Sequence, residues 1–184
     1  MTDNQLNTQK NTVKLAKMGM LVAISVVLVY LIHFPIFPAV PFLEYDPADI
    51  SILIGTFAFG PLAGLALTVV TAVVQGATVS AQSGIYGIIM HIIATGTFVL
   101  VAGNIYRVGK TRTRAVVALC AGTIAMTAIM GLANLVVTPL FMGVPRSVVM
   151  DLMPFILGFN LIKAGINSVV TFLLYKRISK FLRK

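Results

Sequence analysis

Between Lys17 and Arg107 the chain has no lysine and no arginine. Charge is scarce everywhere: 10% of the 184 residues are charged and 58% are hydrophobic. Soluble domains carry about 25% charged residues, so the deficit excludes an ordinary soluble domain and points to an integral membrane protein. Tryptophan is absent, which leaves Tyr, Phe, Lys and Arg to anchor the chain at the membrane interfaces. The single cysteine, Cys120, excludes an intrachain disulfide and a cysteine-based metal cluster; within an apolar helix it reads as inert packing. No small-x-small site closes the first apolar run, so that run reads as a retained span and not a cleaved signal. No internal repeat supports an inverted-repeat transporter. The sequence shows no nucleophile motif, no phosphate loop and no paired catalytic carboxylates. This argues against an enzyme, and active uptake by a chain without an ATP site would have to draw its energy from a partner.

What is present is a series of apolar segments. A polar tail, residues 1–12, precedes a single membrane domain, 13–184. Spans of about 20 residues are expected near 13–33, 61–79, 85–106, 115–141 and 154–179, with a shorter one at 48–59 that ends at Gly60-Pro61. The stretch FPIFPAVPFLEYDPAD, with Pro35, Pro38, Pro41 and Pro47, excludes a regular helix between the first two spans. Asp46 or Asp49 can cap the helix that follows. MGVPRSVVMD forms another loop with room for a short helix.

The net charge of +9 is distributed at the ends of apolar runs, which does not suggest a nucleic-acid patch. Lys10, Lys14 and Lys17 precede the first span, Arg107, Lys110, Arg112 and Arg114 separate the fourth and fifth, and Lys176, Arg177, Lys180, Arg183 and Lys184 end the sixth. Positive-inside bias places all three clusters in the cytoplasm. Four crossings and then two satisfy this, so six transmembrane helices with cytoplasmic termini are expected. Glu44, Asp46, Asp49 and Asp151 then fall outside. Arg146 breaks the pattern, with Asp151 near enough to pair with it.

Within the sixth span Asn160, Lys163 and Asn167 lie within about 60° of one another on a helix. A mid-bilayer lysine costs about 2.5–3.5 kcal/mol on insertion scales, and Lys163 is about nine residues, ~14 Å, into its helix. Snorkelling is therefore strained. Either the stripe faces a polar cavity, the favoured reading, or Lys163 is held by a hydrogen bond or ion pair inside the bundle. Asn134 interrupts the fifth span at similar depth. Glu44 stands at the mouth, flanked by Phe42, Leu43 and Tyr45, so the loop could close as a lid. His33 sits at an interface. His91 has no second histidine at the spacing a zinc pair needs, so no metal site is expected. Gly19-x-x-x-Ala23, with Ala16 one turn earlier, is a small-residue stripe that admits close helix approach, either by a partner or by a neighbouring span.

Taken together, FLEYDPADI at 42–50, LANLVVTPLFMG at 132–143 and FNLIKAGINSVVTFLLYKRISKFL at 159–182 resemble the substrate-binding S components of energy-coupling factor (ECF) vitamin transporters, most closely the riboflavin-specific members. The resemblance covers essentially all six spans. It implies a bacterial, multi-pass membrane protein that binds riboflavin, with flavin mononucleotide as a further ligand to consider, and holds no cofactor. It also implies docking on one transmembrane coupling protein and two ATPases. The implied contacts are Glu44, Asn134, Asn160 and Lys163, with Leu43 and Tyr45 over the ring faces and Asn167 beside the stripe. The implied docking face carries Ala16, Gly19 and Ala23; the family pattern is Ala-x-x-x-Ala, and Gly19 departs from it while keeping the residue small. Another vitamin, such as thiamin or biotin, and a small membrane enzyme or structural membrane protein are the alternatives.

Overall fold

The apolar segments become helices packed around one that is nearly buried, as shown by a computed structural model that describes residues 3–182. Helix α1 runs Asp3–Leu31, α2 Ala48–Phe59, α3 Pro61–Ala77, α4 Gly84–Val108, α5 Arg112–Met142, α6 Arg146–Asp151 and α7 Met153–Leu182. The polar tail is helical from Asp3 onward and continues directly into the first apolar run. The expected short helix in the fifth connection is α6. Arg183 and Lys184 of the last basic cluster lie outside the described residues.

Among the described residues four helices are long and apolar enough to cross a membrane: 8–31 within α1, 81–108 ending in α4, α5 and α7. The other two expected spans are shorter: α2 and α3 have 12 and 17 residues. At 1.5 Å per residue they reach about 18 and 26 Å, short of a ~30 Å hydrocarbon core. The pair is divided as the sequence suggests. Gly60 takes φ +99°, open to glycine and strained for other residues, and Pro61 starts α3 where its missing N–H costs nothing.

Helix α2 is mostly apolar, and every residue from Ala48 to Ala58 is buried. Such a helix belongs in the middle of a bundle, and α1, α3, α4 and α7 pack on it. Small residues allow the approach: a Cβ at Gly64 of α3 would collide with the Thr56 side chain of α2. Phe57 of α2 stacks on Tyr106 of α4, with ring centroids 4.1 Å apart, and meets Tyr175 of α7 edge-on.

The proline loop caps one end of the bundle. Phe34–Pro35 (β1) pairs antiparallel with Glu44–Tyr45 (β2), a small β element inside an otherwise helical fold. At the opposite, basic end Lys17 Nζ donates to the Leu182 carbonyl at 2.8 Å, closing the C-terminus of α7. Two further expectations are corrected. Cys120 faces outward from α5 and is exposed, so it packs against nothing inside. Arg146 and Asp151 form no ion pair; they end the short helix α6 at opposite sides of its single turn and a half.

Candidate functional site

The lysine stripe of α7 meets the proline loop and the N-terminus of α2. Lys163 Nζ donates to Asp46 Oδ2 at 2.6 Å, and both side chains are largely buried. The second Asp46 oxygen accepts from the Ala48 N–H at 3.0 Å and so satisfies one free donor of the first turn of α2, although the N-cap position itself is Pro47. Burial alone pushes the Asp46 carboxyl up, but the Lys163 ammonium and the Ala48 N–H outweigh it and hold the group below the usual carboxylate range. Asp46 and Asp49, which the charge pattern assigns to the outer side, are both buried, because the first turn of α2 inserts between the other helices.

Asn167 is one turn farther along α7. Its amide donates to the Asp46 carbonyl at 3.3 Å and to Asp49 Oδ2 at 3.2 Å, and its oxygen accepts from Tyr45 Oη at 3.1 Å. Thr95 of α4 donates to the other Asp49 oxygen at 2.6 Å. A continuous polar network thus ties β2, α2, α4 and α7 together. Every link has a partner, which a buried polar network requires.

Above this network lies a cavity with about 830 Å³ of non-atom space, the open mouth included. Lys163, Asn160, Asp46 and Phe159 line it beside Leu43 and Glu44 of the loop, with Met126 and Met130 of α5 and Met90 and His91 of α4. Lys163 therefore satisfies both readings of the sequence: it is ion-paired inside the bundle and it faces a cavity. Phe42, Leu43, Met90 and Met130 also wall a second cavity, about 420 Å³, that contains Asn134, Thr138 and Phe141. The larger cavity mixes polar side chains with apolar and thioether walls and the smaller one is mostly apolar; apolar walls with placed polar groups suit a small-molecule ligand.

The site residues expected from sequence do not all reach the cavity. Leu43, Glu44, Asn160 and Lys163 line it. Asn134 lines the adjoining one, with its amide donating to the Met130 carbonyl at 2.8 Å and its oxygen accepting from Thr138 at 2.7 Å. Tyr45 and Asn167 do not line either cavity; they lie in the network below. The reason for Tyr45 is strand alternation: Glu44 and Tyr45 are neighbours and point to opposite faces. Asn167 is occupied by the Asp46 carbonyl, the Asp49 carboxylate and the Tyr45 hydroxyl. Asp46, Asp49, Thr95, Gln75 and His91 were not singled out as site residues. Of these, His91 carries a sequence signal as an ionisable group inside a span, Asp46 and Asp49 read only as candidate helix caps, and no local pattern marks Gln75 or Thr95. Among the described residues, no group of three or more His, Cys, Asp or Glu side chains is placed to hold a metal ion.

The stripe on α1 lies elsewhere. Ala16, Gly19 and Ala23 are exposed, and a Cβ built on Gly19 meets nothing within 4 Å. No neighbouring span occupies that face.

Comparison with known proteins gives consistent matches. The family model for the substrate-specific component of ECF transporters matches residues 13–175. The chain is 30% identical over 187 residues to the riboflavin transporter RibU of Staphylococcus aureus (strain TCH60), covering 98% of this chain and 97% of that protein. It is 29% identical over 181 residues to the riboflavin transporter FmnP of Bacillus subtilis (strain 168), covering 93% and 94%. A solved S component of a bacterial ECF transporter superposes with a TM-score of 0.79 at 30% identity, over 95% of this chain and 99% of that one.

Proposed function

The chain belongs to the family of substrate-specific components of ECF transporters, and from that premise we propose that it captures riboflavin at the outer face of a bacterial membrane. The observation that carries this reading is the cavity in which Lys163 and Asn160 stand among apolar walls beneath Leu43 and Glu44. An isoalloxazine is a flat, mostly apolar tricycle with one edge of carbonyls and ring nitrogens. Lysine donates to carbonyls, and asparagine both donates and accepts. Leu43 and the methionines cover the ring faces, Glu44 accepts from ribityl hydroxyls, and Asn134 contributes from the adjoining cavity once the ligand displaces the shared wall. Tyr45 and Asn167 are positioning residues that hold Asp46, and through it Lys163.

The termini are cytoplasmic in this reading, and the chain crosses the membrane six times, with α2 and α3 as short, bundle-enclosed crossings. The loop at 34–47 then lies outside, over the cavity, where it can close as a lid. Transport draws on ATP hydrolysis by a coupling module of one membrane protein and two ATPases. Ala16, Gly19 and Ala23 of α1 provide the face on which that module docks, supported by the exposure of all three.

Titration of the purified protein with riboflavin, followed by quenching of flavin fluorescence, tests the substrate. Saturable binding, with thiamin and biotin failing to compete, is the expected result. Absence of quenching by riboflavin in folded protein removes the proposal. Flavin mononucleotide in the same assay decides whether a terminal phosphate is tolerated near Glu44 and Asp46.

A further inference from the structure

The cavity has a second polar wall that the contacts above do not use. Gln75, near the end of α3, and His91 of α4 both line it. Gln75 Oε1 and His91 Nε2 are buried and have no hydrogen-bond partner. The Gln75 amide nitrogen reaches Ser80 Oγ at 3.4 Å. Turning the amide over only exchanges which of its atoms is left over, since Ser80 can bond either one. Buried polar atoms are nearly always paired, and each exception calls for a reason. Two exceptions on adjacent helices, in side chains that line one cavity, are explained together by a ligand whose binding turns these side chains to it and supplies their partners.

We propose that Gln75 and His91 form a subsite for the hydroxyl groups of the ligand's polyol chain. This rests on the riboflavin reading and assigns the ribityl end to the α3–α4 wall, with the ring carbonyls on the Lys163 and Asn160 wall of α7. Hydroxyls suit the pair. Each can donate to an amide oxygen or an imidazole nitrogen and accept from an N–H, so either tautomer of His91 is served. A carbonyl edge serves only a turned-over Gln75 amide and the Nε2–H tautomer of His91, whereas hydroxyls serve every state. Ser80 and Ser83, which line the same wall, extend the hydroxyl-compatible surface toward the mouth, where Glu44 stands. The consequence is selectivity. A site built to pair hydroxyls rejects an analogue without them, because its own polar groups stay unpaired.

The test compares riboflavin with lumiflavin, the same ring bearing a methyl group in place of the ribityl chain, by fluorescence titration of the full chain. Gln75→Met and His91→Leu preserve side-chain bulk and remove the polar atoms. Each is expected to weaken riboflavin binding about tenfold, equivalent to about 1.4 kcal/mol for a lost pairing, and not to weaken lumiflavin binding, which leaves those groups unpaired in the wild type. His91→Gln is expected to recover most of the riboflavin affinity. Equal weakening of both flavins, or of neither, overturns the subsite and leaves the riboflavin reading standing. Wild-type protein that binds neither flavin overturns both. Lumiflavin binding also reports that each variant is folded.

Discussion

In the proposed reading Lys163 both contacts the ligand and holds Asp46, and any substitution touches both roles. Removing its ammonium takes a contact from the cavity and strands the Asp46 carboxylate inside the bundle, and breaking a buried pair costs about 3–5 kcal/mol. Lys163→Met is therefore expected to lower both riboflavin affinity and thermal stability. Pairing it with Asp46→Asn neutralises the stranded charge. The double variant should regain most of the lost melting temperature and none of the affinity, read by thermal unfolding and flavin titration. Wild-type affinity in the double variant would show that Lys163 serves only the ion pair. Glu44→Ala should cost less than the lysine change, since water at the mouth can take over part of its hydrogen bonding. At this scale the stripe of Asn160, Lys163 and Asn167 was legible from helical spacing. The partners were not. Asp46 and Asp49 are 117 and 118 residues from their α7 partners, and no local pattern links such distant positions.

Helix α2 shows how an element can be legible in its bounds and illegible in its place. The Pro47 and Gly60-Pro61 breaks delimit Ala48–Phe59, and the structure has that helix. Its burial on all sides explains its apolar composition, but the same composition describes a lipid-facing span. Close packing of α2 on α3 depends on Gly64. Gly64→Ala forces its methyl into Thr56, whose hydroxyl is already held by the Ile52 carbonyl at 2.8 Å. Overpacking of this kind costs about 1–3 kcal/mol, and a lower melting temperature is the expected outcome; an unchanged one would mean that the α2–α3 contact yields easily. The loop 34–47 is the other element whose behaviour matters. Its prolines restrict the open chain, so closure over a ligand loses less entropy. Hydrogen exchange of Ile36–Phe42 amides should slow when riboflavin is added. Equal exchange with and without riboflavin would mean that the loop is already closed in the free protein.

At the scale of the whole molecule, α1 is the peripheral span. In its most apolar window 17% of residues are buried, against 33–44% in the other three long helices. Its outward stripe of Ala16, Gly19 and Ala23 presents small side chains of the kind that admit close helix approach. Gly19→Leu and Ala23→Leu are expected to leave riboflavin titration unchanged and to abolish uptake and co-purification with a coupling protein. Loss of riboflavin binding in either variant would place the stripe inside the protein's own packing, against the exposure seen here. The sequence alone determined the class of molecule: scarce charge, long apolar runs and basic clusters at their ends are properties of composition and order, and hydrophobic partitioning acts on them segment by segment. It also determined where helices break, because proline and glycine act on their own backbone. Only the tertiary structure decided which polar groups meet. Whether Tyr45 looks into the cavity or away from it, whether Asp46 is solvated or buried against Lys163, and whether His91 and Gln75 share a wall all depend on how helices rotate and pack. Those rotations are set by contacts summed over the entire bundle, and no single stretch of the chain contains them.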